Sequence, residues 1–168
     1  MMYASPLTKN QNDLHAWLPV EVRDQMAVVE EQTVVPAGTR LVDHNIPPSH
    51  LVILNSGTVE ISLQAQGRSV PLAVEGPGSV FDLRSLVCGV MPCVDVVCRE
   101  ECRITRVPRE DFDRLLKQNP KAYFAVAKVL SSDLKIANDA LRRLLSSPPR
   151  GFRRVKPSVV APAAAPPH

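Results

Sequence analysis

The sequence predicts a mainly β domain, a sandwich or roll, flanked by an N-terminal helix and a long C-terminal helix. Three observations carry this. From Thr33 to Leu72 short apolar runs alternate with turn residues, at the spacing of about 8 to 12 residues that marks small all-β folds. Ahead of that region the apolar residues keep to one helical face, and after Pro108 helical spacing returns. The chain of 168 residues, 45% hydrophobic and 22% charged, is large enough for one domain with a proper core. With only 4% aromatic residues, that core must come from Val, Leu, Ile and Ala rather than from a stacking surface for bases.

Residues 1–12 are polar without period and are expected to be disordered. Leu14, Trp17, Leu18, Val22, Met26 and Val29 then share one face, predicting a lid helix from about Pro19 to Gln32 with the proline in its first turn. TVV at Thr33–Val35, a Pro36-Ala37-Gly38 turn and RLV at Arg40–Val42 follow, then a proline loop between His44 and His50. Asn45 is expected at positive φ, which Asn tolerates better than other non-glycine residues. Beyond LVIL at Leu51–Leu54, Gly57 turns the chain, and Val59, Ile61 and Leu63 alternate with Thr58, Glu60 and Ser62 as in a half-buried strand. Gln66-Gly67 reads as a hairpin loop. From Gly78 to Pro108 the strand pattern breaks: Gly78, the aromatic Phe81, a non-strand run to Leu86, and a Val/Cys-rich strand from Cys93.

Glu110 to Lys117 predicts a short helix with Phe112, Leu115 and Leu116 inward. Asn119-Pro120 then reads as an N-cap and first-turn proline. In the long helix that follows, Tyr123, Ala127, Leu130, Leu134, Ala137, Leu141 and Leu144 are spaced alternately four and three apart, a heptad seam. The domain's own sheet is expected to satisfy its first half, and the far end wants a second helix, so Leu130, Leu134, Ala137, Leu141 and Leu144 are the expected homodimer contacts. The domain is thus taken as residues 13–146, followed by a Pro/Ala-rich basic tail over 147–168.

Charge supports the same division. Five of the 20 basic residues, Lys9, Arg150, Arg153, Arg154 and Lys156, lie outside Asp13–Ser147, leaving 15 against 17 acidic residues inside. A basic tail on a near-neutral body reads first as a solvated tail. No apolar run approaches the ~20 residues of a membrane span, and MMYASPLTKNQND lacks a signal-peptide layout. The expected location is cytoplasmic, with reduced thiols.

A lid helix, a roll opened by PAGTRL, the run LVILNSGTVEI, the cradle GSVFDLRSL, the strand RITRVP followed by EDFDRLL, then NP and a long helix: this order resembles the cyclic nucleotide-binding domain of the catabolite-activator and FNR-type regulators. The resemblance covers about Leu14 to Leu144. It implies an eight-stranded double-sheet β-roll (jelly roll) and a dimer along the long helix. It also implies a cradle at Gly78, Phe81, Asp82, Leu83, Arg84, Ser85, Pro92, Cys93 and Val94, with Asn138 on the long helix against the base. A cyclic phosphate needs a guanidinium fork and free amides at the start of a short helix. In the family pattern the cradle's Gly-Glu pair falls here on Asp82 and Leu83, and its arginine and small neighbour fall on Pro92 and Cys93. Leu83 cannot accept a hydrogen bond, Pro92 offers no charge, and Asp82 adds a negative one. Each lost charged hydrogen bond is worth roughly 1.5 to 3 kcal/mol, so a cyclic nucleotide is disfavoured. Arg84 is the nearby cation, a substitute or a solvated surface residue.

Cys88, Cys93, Cys98 and Cys102 do not follow zinc-knuckle or iron-sulfur spacing; they read as small core hydrophobes, with Cys88 and Cys93 as redox candidates. His44 and His50 read as loop residues, and no metal or catalytic set is expected. Only 24 residues follow Leu144, six of them proline, so DNA binding through a helix-turn-helix is not expected. The reading is a non-enzymatic regulatory module, homodimeric, acting on an unidentified protein partner through an altered or lost nucleotide site. Two others stay open. One is a small-ligand sensor holding a cyclic nucleotide or other anion with Arg84 and the amides of residues 83–86. The other is a scaffold docked through its tail, or a thiol sensor.

Overall fold

The computed structural model describes residues 14–146; the polar segment 1–12 and the tail 147–168 lie outside the described residues. The elements run α1 (Leu14–Trp17), α2 (Val20–Val29), β1 (Glu31–Val35), β2 (Arg40–Val42), β3 (His50–Ser56), β4 (Val59–Ala65), β5 (Arg68–Glu75), β6 (Val80–Phe81), α3 (Leu83–Cys88), β7 (Val94–Cys98), β8 (Cys102–Pro108), α4 (Arg109–Gln118) and α5 (Ala122–Ser146). The strands form two antiparallel four-stranded sheets, β1-β8-β3-β6 and β2-β7-β4-β5. This is the double-sheet roll with flanking helices that the sequence predicts.

Two apolar clusters explain the strand sequences. Val35, Val42, Val52, Leu54, Val59, Phe81, Val96 and Ile104 fill the space between the sheets. Leu51, Ile53 and Val107, on the opposite face of the first sheet, pack with Leu14, Met26, Phe112, Leu116 and Val129 from the helices. β3 therefore sends alternate side chains into both cores, which is why LVIL is apolar without interruption. β4 starts with the one-sided pattern, Val59 in the inter-sheet core with Ile61 against it and Glu60 exposed, but Ser62, expected outward, is buried where the register to β5 shifts between Ile61 and Ser62.

Four local expectations are corrected. The N-terminal helical segment is broken at Pro19, and α2 stops at Val29 rather than near Gln32, because Glu31 and Gln32 pair with Arg106 and Thr105 of β8. Trp17 leaves the buried face on which Leu14, Leu18, Val22 and Met26 lie. Asn45 is not at positive φ; among the described residues only Gln66 and Asp82 are so without being glycine. The loop instead closes by an Ile46-to-Asp43 backbone bond, with the Asn45 N–H donating to Asp43 Oδ1 at 2.9 Å, geometry that needs no left-handed residue. Asn119 does not cap α5 with its side chain. Its Nδ2 turns back to donate to Leu115 O and Gln25 Oε1, closing α4, while its carbonyl accepts from Ala122 N–H.

Gly57 and the Gln66-Gly67 pair act as expected, between β3 and β4 and between β4 and β5 respectively. Gly57 is required twice over: its φ is +91°, and a Cβ there would lie 2.7 Å from Cys102 Sγ and 2.8 Å from Glu101 O. Among the described residues no helix is long and apolar enough to cross a membrane. Gly57→Ala is expected to destabilise the domain by at least about 2 kcal/mol, from the left-handed backbone and the clash together. Chemical denaturation checks this; a loss below about 0.5 kcal/mol would show that the β3–β4 turn relaxes freely.

Candidate functional site

The cradle begins where β5 ends. Gly78 adopts φ +92°, and its N–H donates to Leu54 O at 2.7 Å while Leu54 N–H donates to Ser79 O at 2.9 Å. Ser79 Oγ is hydrogen-bonded to Glu75 Oε2 at 2.9 Å and to Gly76 O at 2.8 Å. These bonds clamp the turn to β3 and deliver the two-residue β6, whose Phe81 pairs with Val52 and buries its ring between the sheets. Asp82 then takes φ +67°, ψ +3°, and its carbonyl accepts from Leu86 N–H to start α3. Gly89, also left-handed, closes that helix onto Ser85 O.

The expected cradle residues fall into three groups. Leu83, only 2% exposed, belongs to the helix-side core with Leu86, Leu51 and Ile53, and Ser85 and Pro92 are also buried. Arg84, Cys88 and Cys93 are exposed, as is Asn138 on α5. Val94 is half-buried against the inter-sheet cluster. Asp82 is half-buried and makes no side-chain capping bond, and burial pushes its carboxyl up to about 6.

The cysteines divide. Cys98 and Cys102 lie in the inter-sheet core, as small hydrophobes do. Burial, then a hydrogen bond with Cys102, pushes the Cys98 thiol up to about 12, so it holds its proton at neutral pH. The redox candidates Cys88 and Cys93 end α3 and precede β7.

A polar cluster outside the cradle was not singled out from the sequence. Asp95 on β7 is 3% exposed and sits under the proline loop. Its Oδ1 accepts from the His44 N–H at 2.9 Å and lies 2.8 Å from His44 Nδ1, and its Oδ2 accepts from Gln64 Nε2 at 2.8 Å. Desolvation opposes the Asp95 charge, but the hydrogen bonds from His44 and Gln64 outweigh it and lower the pKa. Asp43, His44 and Asp95 bring ligand-type atoms within 4.8 Å of one another. Arg40 Nη1 stands 3.2 Å from Asp43 Oδ2 and 3.7 Å from Asp95 Oδ2, placing a fixed positive charge among them. The available signal was a lone Asp in a Val/Cys strand, which only tertiary pairing with His44 explains.

On α5 the seam divides differently from expectation. Ala122, Ala125, Val126 and Val129 face the domain. Tyr123, Ala127, Leu134, Ala137 and Leu141 are exposed and Leu130 is half-buried. From the first half of the seam the domain takes only Leu130, packed in part against the helix-side core, because the helix turns a neighbouring stripe toward that core. Leu144 lies in α5.

A glycine-opened turn and a short helix, set in a double-sheet roll and backed by a long helix, define the class of fold. Residues 32–119, just over half of the chain, match the family model described as the cyclic nucleotide-binding domain, and the chain belongs to that family. No curated protein matches it in sequence. Among solved structures it is similar to the catabolite activator protein of Thermus thermophilus, with TM-score 0.67 and 24% identity, over 79% of this chain and 63% of that one. It is also similar to the N-terminal domain of a transcriptional regulator from Streptomyces coelicolor A3(2), with TM-score 0.60 and 22% identity, over 79% and 91% of the two chains. The regulatory subunit of a cAMP-independent protein kinase A from Trypanosoma brucei gives TM-score 0.65 and 15% identity, over 79% and 47%. The chain thus spans less than two thirds of the Thermus protein, and at these identities the likeness is one of fold.

The raised Asp82 value has a sign that can be tested. The unfolded chain loses this proton near 3.8 and the folded one near 6, so folding stability falls as pH rises between these values and stays lowered above them. Asp82→Asn, which keeps the tolerance of the left-handed backbone, is expected to raise the melting midpoint at about pH 7.5 and to bring no gain near pH 3.5. An equal gain at both pH values would remove burial of the charge as the cause.

Proposed function

We propose that this chain is a non-enzymatic regulatory module of the cyclic nucleotide-binding family whose cradle no longer takes a cyclic nucleotide in the ordinary way. In this reading it forms a homodimer along α5 and acts on a protein partner. The observation that carries the proposal is the state of the cradle's chemistry. The resemblance sets Leu83 and Pro92 where a carboxylate and a guanidinium would grip the sugar and phosphate, and both are buried, Leu83 within the helix-side core. Asp82, half-buried on the same turn, adds a carboxylate where an anion would approach. The T. brucei subunit described as cAMP-independent offers a precedent in the same fold for regulation without that nucleotide.

Titration calorimetry of the reduced protein against cyclic AMP and cyclic GMP at millimolar ligand tests the cradle reading. No heat and no shift in melting temperature are expected. Micromolar binding would overturn it and assign the grip to another cation, with Arg84 the first to substitute.

The dimer reading rests on the exposed seam. Leu134 and Leu141 are 62% and 54% exposed, and covering each contributes roughly 1.5 to 3 kcal/mol on full burial. A coupled shift of α3 and α5 would then change the surface offered to the partner. Light scattering is expected to give a dimer for the wild type and a monomer for Leu134→Glu combined with Leu141→Glu. A wild type already monomeric at about 100 μM, well above ordinary dimer dissociation constants, would sink the seam.

A further inference from the structure

Beside the seam, α5 carries a second exposed apolar surface. Trp17 of α1 and Phe124 of α5 are 42% and 67% exposed. With Ala127, Lys128, Ser131 and Ser132 they line a groove of about 550 Å³. Lys128 Nζ lies 3.9 Å from the Trp17 ring centroid and 4.8 Å from that of Phe124, so one ammonium is stacked on both rings and ties the walls together. We propose that the proline-rich segment 157–167 of this chain's own tail docks in this groove.

Three features of the chain select that occupant. The first is chemistry. Extended proline-rich segments bind aromatic-lined grooves because their backbone is already ordered and little entropy is lost on docking. Residues 157–167, PSVVAPAAAPP, carry four of the tail's six prolines and no charge. The second is charge. The preceding stretch holds Arg150, Arg153, Arg154 and Lys156, which Lys128 repels, so the uncharged part of the tail is the part that fits beside the ammonium.

The third is reach and direction. α5 ends at Ser146, about five helical turns and roughly 27 Å beyond Lys128. A whole number of turns brings the chain off the helix on the same face as the groove. Residues 147–156 span at most about 33 Å when extended, so running back along α5 they place Pro157 at the groove with little slack. A tether of that length holds the segment at an effective concentration of order millimolar, enough to fill a weak site. The proposal does not depend on the seam or on the state of the cradle.

Trp17 is the only tryptophan, so its fluorescence reads the groove directly in the full chain. Pro157→Ser, Pro162→Ser, Pro166→Ser and Pro167→Ser in one variant change nothing within residues 14–146. Acrylamide quenching of Trp17 is expected to rise about two-fold in this variant, with a red-shifted emission. In a Phe124→Ala background, where the groove lacks a wall, the same tail changes are expected to have no further effect. Equal quenching with and without the tail prolines overturns the proposal. Protection that vanishes on dilution of the wild type overturns the intrachain form, since the segment would then come from a second copy.

Discussion

Strands β3 and β8, paired in the sheet β1-β8-β3-β6, are buried on both faces, and the rest of the structure depends on that. They give Val52, Leu54 and Ile104 to the other sheet and Leu51, Ile53 and Val107 to the helices. One wall therefore serves two cores. Neither the small inter-sheet cluster nor the helical layer has enough apolar surface of its own, and each is closed by the side of the wall that the other does not use. The tolerances are correspondingly small where the wall meets the second sheet. At Gly57 the chain passes so near Cys102 and Glu101 that a methyl group has no room.

The cradle hangs from the same wall. β6 is two residues long and pairs only with β3, so the position of α3 follows from β3 rather than from its own sequence. A six-residue helix has little intrinsic stability; here Leu83 and Leu86 hold it by insertion into the helix-side core. Leu83 thus has a packing role of its own at the start of α3. A carboxylate at the start of α3 would need a charged partner to offset its desolvation, whereas leucine anchors the helix without a ligand. Asp82 points the same way. It holds a left-handed backbone that glycine would hold without strain, and a carboxyl whose proton is retained to about 6. The Gly78 and Ser79 bonds to β3 and β5 set the path of the turn.

How far the sequence disclosed this depends on whether the cause was local. The uninterrupted LVIL, the Val59–Ile61 alternation, Gly57, Gln66-Gly67 and the Phe112/Leu115/Leu116 face were all legible, since each follows from strand or helix period and turn chemistry; the alternation fails at Ser62, which is buried where the register to β5 shifts. The end of α2 was not. EEQ continues a helix by propensity, and only the ladder to β8 draws Glu31 and Gln32 into a strand. Asn119 stands before a proline as an N-cap would, yet its amide finds Leu115 O and Gln25 across the fold. The Asp95–His44–Gln64 cluster was invisible for the same reason: His44 and Asp95 lie 51 positions apart in sequence. In the cradle, residue identities were readable, but which of them point into the core was not. Ser85 is buried and Arg84 is exposed although they are neighbours.

The long helix shows why a single period undersells a helix with several neighbours. The four-three spacing from Tyr123 to Leu144 is one stripe, and a reader of that pattern assigns its first half to the nearest core. The core instead takes Ala122, Ala125, Val126 and Val129, a stripe of smaller residues, with Leu130 packed against it in part. Tyr123, Leu134 and Leu141 of the spacing pattern are thereby left outward, and Phe124 and Lys128 form a third stripe beside Trp17. Small residues mark the face committed within the domain, and large exposed ones mark the faces left over. Since Ala127 borders both outward faces, anything bulky on one constrains what can lie on the other.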